Sequence, residues 1–453
     1  MSDKIKTVHL TNYYHKNSGG ISTSYNNLLA AAERNERLVR LIVPGENADV
    51  EDVNDYARIY YVPAKYSPIF DKRYRVMMPW QYMKTGSIIR NILVEERPDL
   101  IEVTDKYTLS LMGAMIRTNN FRKLGRPVLV HFSCERMDDN VSSFLLGGRF
   151  GKRFARAVMG NYNFPSFDYH IANSAYTAEE FYDSVDPSKN TGRSGWLLNQ
   201  WWRFLKAPRI SFRERVFVCP RGIDPVQFSP AKRSERGKQE MRQRASIPDD
   251  AVVLLYAGRV SPEKNIRLLV DMMKILSVDS TRDYRLLVAG DGPQAEWLKK
   301  QGSAVANGKI VLLGHLDKET LSSYYANADV FVHPNPREPF GIAPLEAMAS
   351  GAPTVAPNGG GILSYATNEN AWLIEPNAES FAAAVREVVN YKEQTAHKVA
   401  HALETARANT REVSTDRLFE TYDKIYEDFQ LQRELFTDLD AAKNFDFFRE
   451  SLK

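Results

Sequence analysis

Glu338 and Glu346 stand in the stretch PREPFGIAPLEAMASG, residues 336–351. Paired carboxylates usually serve proton transfer, yet a glycine and a proline lie between these two at what reads as the start of a helix. Gly341 permits close backbone approach, Pro344 suits a first helical turn, and Gly351 is a natural C-terminal stop. The amides near Ile342 to Leu345 would then form an anion site at the favourable end of a helix dipole. A carboxylate is a poor phosphate ligand but a good acceptor for hydroxyls. Glu338, before the turn, suits the hydroxyls of a sugar, and Glu346, inside it, suits a ribose. From the spacing alone, a first-turn acid and an ordinary loop residue explain the pair equally well.

Other groups could complete such a site. Arg259 and Lys264 sit in GRVSPEKN, directly after the apolar run VVLLYAG. Two cations at a strand's carboxyl end can meet two phosphates through charge-assisted hydrogen bonds, though a solvated loop is the commoner meaning. Gly19 and Gly20 open a helix after the first strand, where their amides could face phosphate or acceptor. They form no dinucleotide fingerprint, and isolated glycines usually serve only a turn. His131 ends the run PVLVHFS, and a single histidine is usually structural. Behind it, Glu135, Arg136 and Asp138 are polar groups suited to shaping acceptor recognition.

Arg149, Lys152, Arg153 and Arg156 recur at i, i+3, i+4 and i+7, which places one cationic stripe on a helix that also carries Phe150, Phe154 and Val158. Such a helix can lie on anionic lipid. The tryptophan-rich segment KNTGRSGWLLNQWWRFLKAPR would suit a headgroup boundary, with Trp196, Trp201 and Trp202 among its cations. An ordinary amphipathic helix, and an insertion that fills its own small core or a subunit contact, are the plain alternatives.

The elements that must position these groups follow from patterning. A chain of 453 residues suits two domains. With 43% apolar and 26% charged residues it is an ordinary globular composition, and a net charge of +4 does not argue for nucleic acid. Cys134 and Cys219 offer neither a disulfide framework nor a zinc site. The start MSDKIKTVHL reads as a strand, and no apolar run reaches the roughly 18 residues that span a bilayer. A cytoplasmic protein is expected, or one peripheral at the inner face of the cytoplasmic membrane.

Short apolar runs alternate with helical patterns in two series, from KTVHL to YHIANS and from VVLLYAG to APTVAP. They imply two doubly wound, Rossmann-like α/β domains, residues 1–218 and 219–415, with an insertion at about 187–212 and closing helices over 416–453. Facing sheets of this kind would leave an interdomain cleft. Ser414 or Thr415 is the expected N-cap of the long helix in STDRLFETYDKIYEDFQLQRELF.

The E-x7-E spacing of Glu338 and Glu346, set in EPFGIAPLEAMASGAPTVAPN, closely resembles retaining glycosyltransferases of family four, the glycosyl transferases group 1, which have the GT-B fold. YAGRVSPEKN, LLVAGDGP, LLGHLDKETLSSYYANADVFVHPN, IANSAYTAEEF and VCPRGIDPVQFSP extend the resemblance over most of the second half and more thinly over the first. It implies an N-terminal acceptor domain, a C-terminal nucleotide-sugar domain, and final helices that cross back to the first.

Carried residue by residue, the resemblance gives Glu338 the donor sugar and Glu346 the ribose, while Arg259 and Lys264 grip the diphosphate. Backbone amides of Phe340, Gly341, Ile342, Ala343 and Leu345 would contact sugar and phosphate, and Gly314 and His315 would lie at the base. Gly19 and Gly20 would lie beside phosphate and acceptor, with His131 against both sugars. The implied catalytic set is His131, Glu338, Arg259 and Lys264.

The implied reaction moves a hexosyl unit from a UDP- or GDP-sugar to a glycan, glycolipid or small-molecule acceptor. It proceeds by front-face attack, with no divalent metal and no cofactor beyond the nucleotide sugar; Asp438 and Asp440 read as a solvated face. The motifs do not choose between UDP and GDP. A non-catalytic sugar-nucleotide-binding or membrane-surface scaffold is the alternative, against which the intact Glu338, Glu346, Arg259 and Lys264 speak. A phosphorolytic enzyme of the same architecture would need a pyridoxal lysine, and no motif demands one.

Overall fold

The computed structural model describes residues 4–14, 20–67, 74–144, 148–279, 281–305 and 308–452. The chain divides into two compact units, Met1–Pro220 with Ser414–Lys453, and Arg221–Val413.

In the first unit the strands are β1 (Thr7–Leu10), β2 (Val39–Gly45), β3 (Asp49–Asp52), β4 (Ala57–Pro63), β5 (Lys65–Tyr66), β6 (Arg75–Val76), β7 (Leu100–Val103), β8 (Val128–Ser133), β9 (Tyr169–Ala172) and β10 (Val216–Val218). Eight of them form one sheet in the order β10-β9-β8-β7-β1-β2-β4-β3, while β5 and β6 pair separately. Every pairing in the large sheet is parallel except that of the exposed edge strand β3 with β4. β1, β7, β8 and β9 are buried along their whole length, as strands of a parallel sheet covered on both faces must be.

The second unit holds β11 (Val252–Ala257), β12 (Tyr284–Ala289), β13 (Ile310–Gly314), β14 (Val330–Val332), β15 (Thr354–Pro357) and β16 (Trp372–Ile374). They form an all-parallel sheet in the order β13-β12-β11-β14-β15-β16. Alternate side chains of β11 feed two cores. Val253 and Leu255 pack with Phe331, Leu345 and Met348 on one face, and Leu254 and Tyr256 pack with Leu269, Met273 and Phe381 on the other. The strand order reverses between β11 and β14, and ligands of doubly wound sheets bind beyond the carboxyl ends of the strands at such a point.

The helix Arg411–Leu431 begins in the second unit and runs into the first. There Phe419, Tyr422, Ile425 and Phe429 recur along one face and join the core beside Val39, Leu41, Val128 and Tyr169. The Tyr422 hydroxyl donates to Glu102 of β7, which also accepts from Tyr25 and lies 3.0 Å from His9 Nδ1. Ser414 and Thr415 do not cap this helix, because it starts before them. The Val413 amide donates instead to Thr410 Oγ1 at 3.3 Å, and Ser414 Oγ donates to the Pro220 carbonyl at 2.7 Å. Among the described residues, no helix is long and apolar enough to cross a membrane.

Candidate functional site

The loops that leave β11 and β14 meet at the reversal of strand order. Asn265 Nδ2, after β11, donates to the Pro334 carbonyl, after β14, at 3.0 Å. Lys264 Nζ lies 3.0 Å from Glu338 Oε1 and 2.7 Å from Oε2, and Asn335 Nδ2 donates to Oε2 at 3.0 Å. The backbone holds this loop from beneath. Gly361 donates its amide to the Glu338 carbonyl at 2.6 Å, and a Cβ at Gly361 would stand only 1.9 Å from the Pro339 carbonyl oxygen.

Burial alone would push the Glu338 carboxyl up. The ammonium of Lys264 and the ring of His333 outweigh it, together with the hydrogen bonds from Lys264 and Asn335, and hold the group at about 2. Glu338 is therefore an acceptor at neutral pH and has no proton to give. His333 packs beside it with Nε2 3.9 Å from Oε2, and burial depresses the ring to about 4 despite that neighbour. Neither His333 nitrogen has a hydrogen-bond partner among the described residues.

Gly341 adopts φ +86°, a left-handed conformation that suits glycine, and hands the chain to the helix Ile342–Ala349. The Tyr365 hydroxyl donates to the Gly341 carbonyl, and the Phe340 and Tyr365 rings meet edge to face at 5.2 Å. First-turn amides of a helix have no intrahelical partner, so those of Ile342 and Ala343 are offered outward; Pro344 has none to offer. Leu345, Ala347 and Met348 root the helix in the core.

Glu346 lies on the same helix and keeps part of its surface open. Burial pushes its carboxyl up to about 7, against the hydrogen bond from Tyr325 at 3.2 Å and the charge of Lys318. The two glutamates thus differ because one has a cation in contact and the other does not.

Arg259 is exposed, and its guanidinium makes no ion pair or hydrogen bond among the described residues; its carbonyl accepts from Tyr256 at 2.9 Å. Gly314, at φ +69°, ends β13 and accepts from the Gly290 amide at 2.8 Å, and His315 beyond it is exposed. Sequence reasoning missed Asn335, Tyr325, His333 and Tyr365, of which only Asn335, three positions before Glu338, carried a local signal.

In the first unit the expectations fare differently. Gly20 is exposed at the start of the helix Gly20–Arg34, and Gly19 lies outside the described residues. His131 lies in the interior of the first unit. Its side chain is wholly buried among Phe164, Phe167, His170 and Phe181, with ring centroids 5.6–6.3 Å away, and burial holds it well below its ordinary value.

Arg136 is held by its neighbours. Its guanidinium pairs with both oxygens of Asp138 at 3.0 Å, donates to the Tyr176 carbonyl at 2.8 Å and stacks on the Tyr176 ring, so it is spent on local structure. Glu135 stays half-buried, and its carbonyl accepts from Lys106 and Ser133. The stripe of four cations divides: Lys152 pairs with Asp139 at 2.9 Å, Arg156 pairs with Asp138 at 2.9 Å and Asp183 at 3.0 Å, and Arg149 and Arg153 remain exposed.

Residues 237–404, which contain every second-unit residue named at this site, match the family Glycosyl transferases group 1, and residues 19–191 match the Glycosyl transferase 4-like domain. The chain belongs to the GT-B glycosyltransferases. This glycosyltransferase is 27% identical to the GDP-mannose-dependent alpha-(1-6)-phosphatidylinositol dimannoside mannosyltransferase of Mycobacterium tuberculosis, over 86% of this chain and 89% of that one. It is 25% identical to a GDP-mannose-dependent alpha-mannosyltransferase of Corynebacterium glutamicum, over 76% and 70%. Its fold is shared with Anabaena HepE, solved in complex with UDP-glucose, at a TM-score of 0.63 and 18% identity over 93% of this chain and 100% of that one.

Proposed function

We propose that this glycosyltransferase moves a mannosyl unit from GDP-mannose to a lipid-linked glycan, with retention of configuration. The observation that carries the reading is the ionised Glu338 held by Lys264 and Asn335 at the reversal of strand order in the second sheet. GDP-mannose is chosen because the names of the Mycobacterium and Corynebacterium relatives specify it. A lipid-linked acceptor is chosen because the Mycobacterium relative acts on a phosphatidylinositol dimannoside and a Streptococcus pneumoniae relative is an alpha-monoglucosyldiacylglycerol synthase.

On this reading the donor diphosphate draws Lys264 and Arg259 to its oxygens, and the amides of Phe340, Gly341, Ile342 and Ala343 line its path. Glu338 accepts from hydroxyls of the sugar and Glu346 from those of the ribose, with Gly314 and His315 beside the base. The acceptor hydroxyl attacks the anomeric carbon on the face the diphosphate leaves. As that carbon–oxygen bond breaks, the hydroxyl proton passes to a phosphate oxygen. The cations and the helix end stabilise the departing charge, so the protein supplies position and field in place of a covalent nucleophile.

A thermal-shift panel of GDP, GDP-mannose, UDP and UDP-glucose tests the donor. Stabilisation by the guanosine pair alone is expected, and a response to the uridine pair alone overturns the choice of donor. Mass spectrometry of a lipid-linked glycan incubated with GDP-mannose should gain one hexose; no gain with any lipid-linked acceptor refutes the acceptor class.

A further inference from the structure

The helix Arg193–Phe204 is apolar on both sides. Gly195, Leu198 and Trp202 form its inner face, which packs on the turn Met159–Asn163 and on the C-terminal tail. Trp202 Nε1 donates to the Gly160 carbonyl at 2.8 Å, and its ring lies 5.6 Å from that of Phe447. The opposite face carries Trp196, Leu197, Trp201 and Phe204, with Arg193 and Gln200 between them. Trp196 is 62% exposed and Phe204 71%.

A helix with large apolar side chains on both its inner and its outer face presents a patch that marks an interaction site. The helix Gly148–Val158, which leads into the same turn, exposes Phe150 and Phe154 beside Arg149 and Arg153.

Charge indicates what covers this face. Residues 187–213 contain six cations and no Asp or Glu, and residues 148–167 four cations and again no acid, although Lys189 and Arg209 pair with Asp183 and Asp438 and Lys152 and Arg156 are paired as described above. Arg149, Arg153 and Arg193 make no ion pair among the described residues. Exposed tryptophan and phenylalanine framed by unneutralised arginine suit the interface of an anionic bilayer, where rings enter the acyl boundary and guanidinium groups meet headgroup phosphates. A second copy of the chain would bring its own cations against these.

We infer that the outer face of the helix Arg193–Phe204, with Trp196, Leu197, Trp201 and Phe204 as anchors, docks the enzyme on an anionic lipid surface. The inference rests on the reading that the acceptor is lipid-linked. It puts the apolar anchors, rather than Lys152 and Arg156, at the centre of attachment, because those two cations are already committed inward.

The test floats the full chain with vesicles of phosphatidylcholine and with vesicles that also contain phosphatidylglycerol. Binding to the mixed vesicles only is expected, with a blue shift of tryptophan emission. The triple substitution Trp196→Ser, Trp201→Ser, Phe204→Ser should lower the bound fraction about tenfold and remove the shift. Arg149→Ser with Arg153→Ser should weaken binding mainly at low salt. A nucleotide thermal shift retained in each variant shows that the fold is intact.

Equal binding by the triple variant, or no vesicle binding by the parent chain, overturns the inference. So does a concentration-dependent dimer that the triple substitution dissolves while vesicles are ignored. Vesicle binding without a response to any nucleotide would instead sink the proposed reaction and leave the docking face standing. A nucleotide response without vesicle binding would sink the docking face alone.

Discussion

Lys264 and Glu338 lie 74 positions apart in sequence and close to 2.7 Å between Nζ and Oε2. Each side chain keeps only a minor exposed fraction, so removing either one strands the other's charge in a poorly hydrated place. Lys264→Ala and Glu338→Ala should each lower kcat/KM by about a hundredfold or more. A double-mutant cycle on stability should return a coupling of about 1–3 kcal/mol. Undiminished turnover in either variant contradicts the roles proposed for both.

Glu346 makes nucleotide affinity depend on pH. Its folded value of about 7 lies above the ordinary 4.5, so the folded state holds a proton that the unfolded chain has lost between those limits. Its contribution to stability is complete below about pH 4.5 and disappears as pH rises through 7. Ribose hydroxyls prefer the ionised form, so GDP should bind more tightly as pH climbs from 6 to 8. Calorimetric titration should show the trend in the parent chain and a flat profile in Glu346→Gln.

His131 and His170 act in the opposite sense. Burial lowers both well below 6.5, with Lys106 adding to the effect on His131 and Arg215 to that on His170. Their contribution is complete above pH 6.5 and is lost as pH falls toward the folded values, because the unfolded chain binds the protons first. His131→Phe keeps the ring in place among its aromatic neighbours and removes one such group. Urea melts should show an acid limb shallower by up to about 1.4 kcal/mol per pH unit. Transfer should stay within about threefold of the parent, since a residue that only packs lies outside the chemistry; a loss of two orders of magnitude would restore His131 to the reaction.

How much of this was legible depends on how local the cause is. Long apolar runs declared the buried parallel strands. β10 and β16, three residues each, lie beyond the ends of the two series of apolar runs, and β3 was hidden by its acidic sequence DVED. Glu338, Glu346, Arg259 and Lys264 stood out by type and spacing. The contact between Lys264 and Glu338 did not, because the strand order that joins their loops is a property of the whole sheet. The burial of His131 was hidden for a related reason: a strand's last residues look alike whether helices cover both its faces or leave one open. Arg136 was readable in principle, with Asp138 two positions away. The partners of Lys152 and Arg156 were not, since Asp139 and Asp138 stand 13 and 18 positions away and Asp183 arrives from the helix Ala175–Val185.

Gly341 should resist substitution for two separable reasons. Its φ of +86° disfavours any Cβ, and an ideal Cβ there would stand 2.9 Å from the Tyr365 hydroxyl oxygen. Gly341→Ala should cost about 1–2 kcal/mol in a denaturant melt. Tyr365→Phe should cost about 1 kcal/mol through its lost hydrogen bond. Combining them should cost less than the sum, because the phenyl ring removes the clash and leaves only the backbone strain. Strict additivity would show that the hydroxyl does not constrain this turn.

The first unit is written in two instalments. Phe419, Tyr422, Ile425 and Phe429 belong to its core, as do Ala442, Phe447 and Leu452, yet they follow the entire second unit in the chain. At roughly 5–20 residues per second, a ribosome releases them tens of seconds after Pro220. The second unit, encoded without interruption, can reach its native form during synthesis, whereas the half translated first waits for the last. Through that interval its bare apolar sheet surface is a natural client for chaperones, and premature termination anywhere before Phe419 leaves it permanently unfinished.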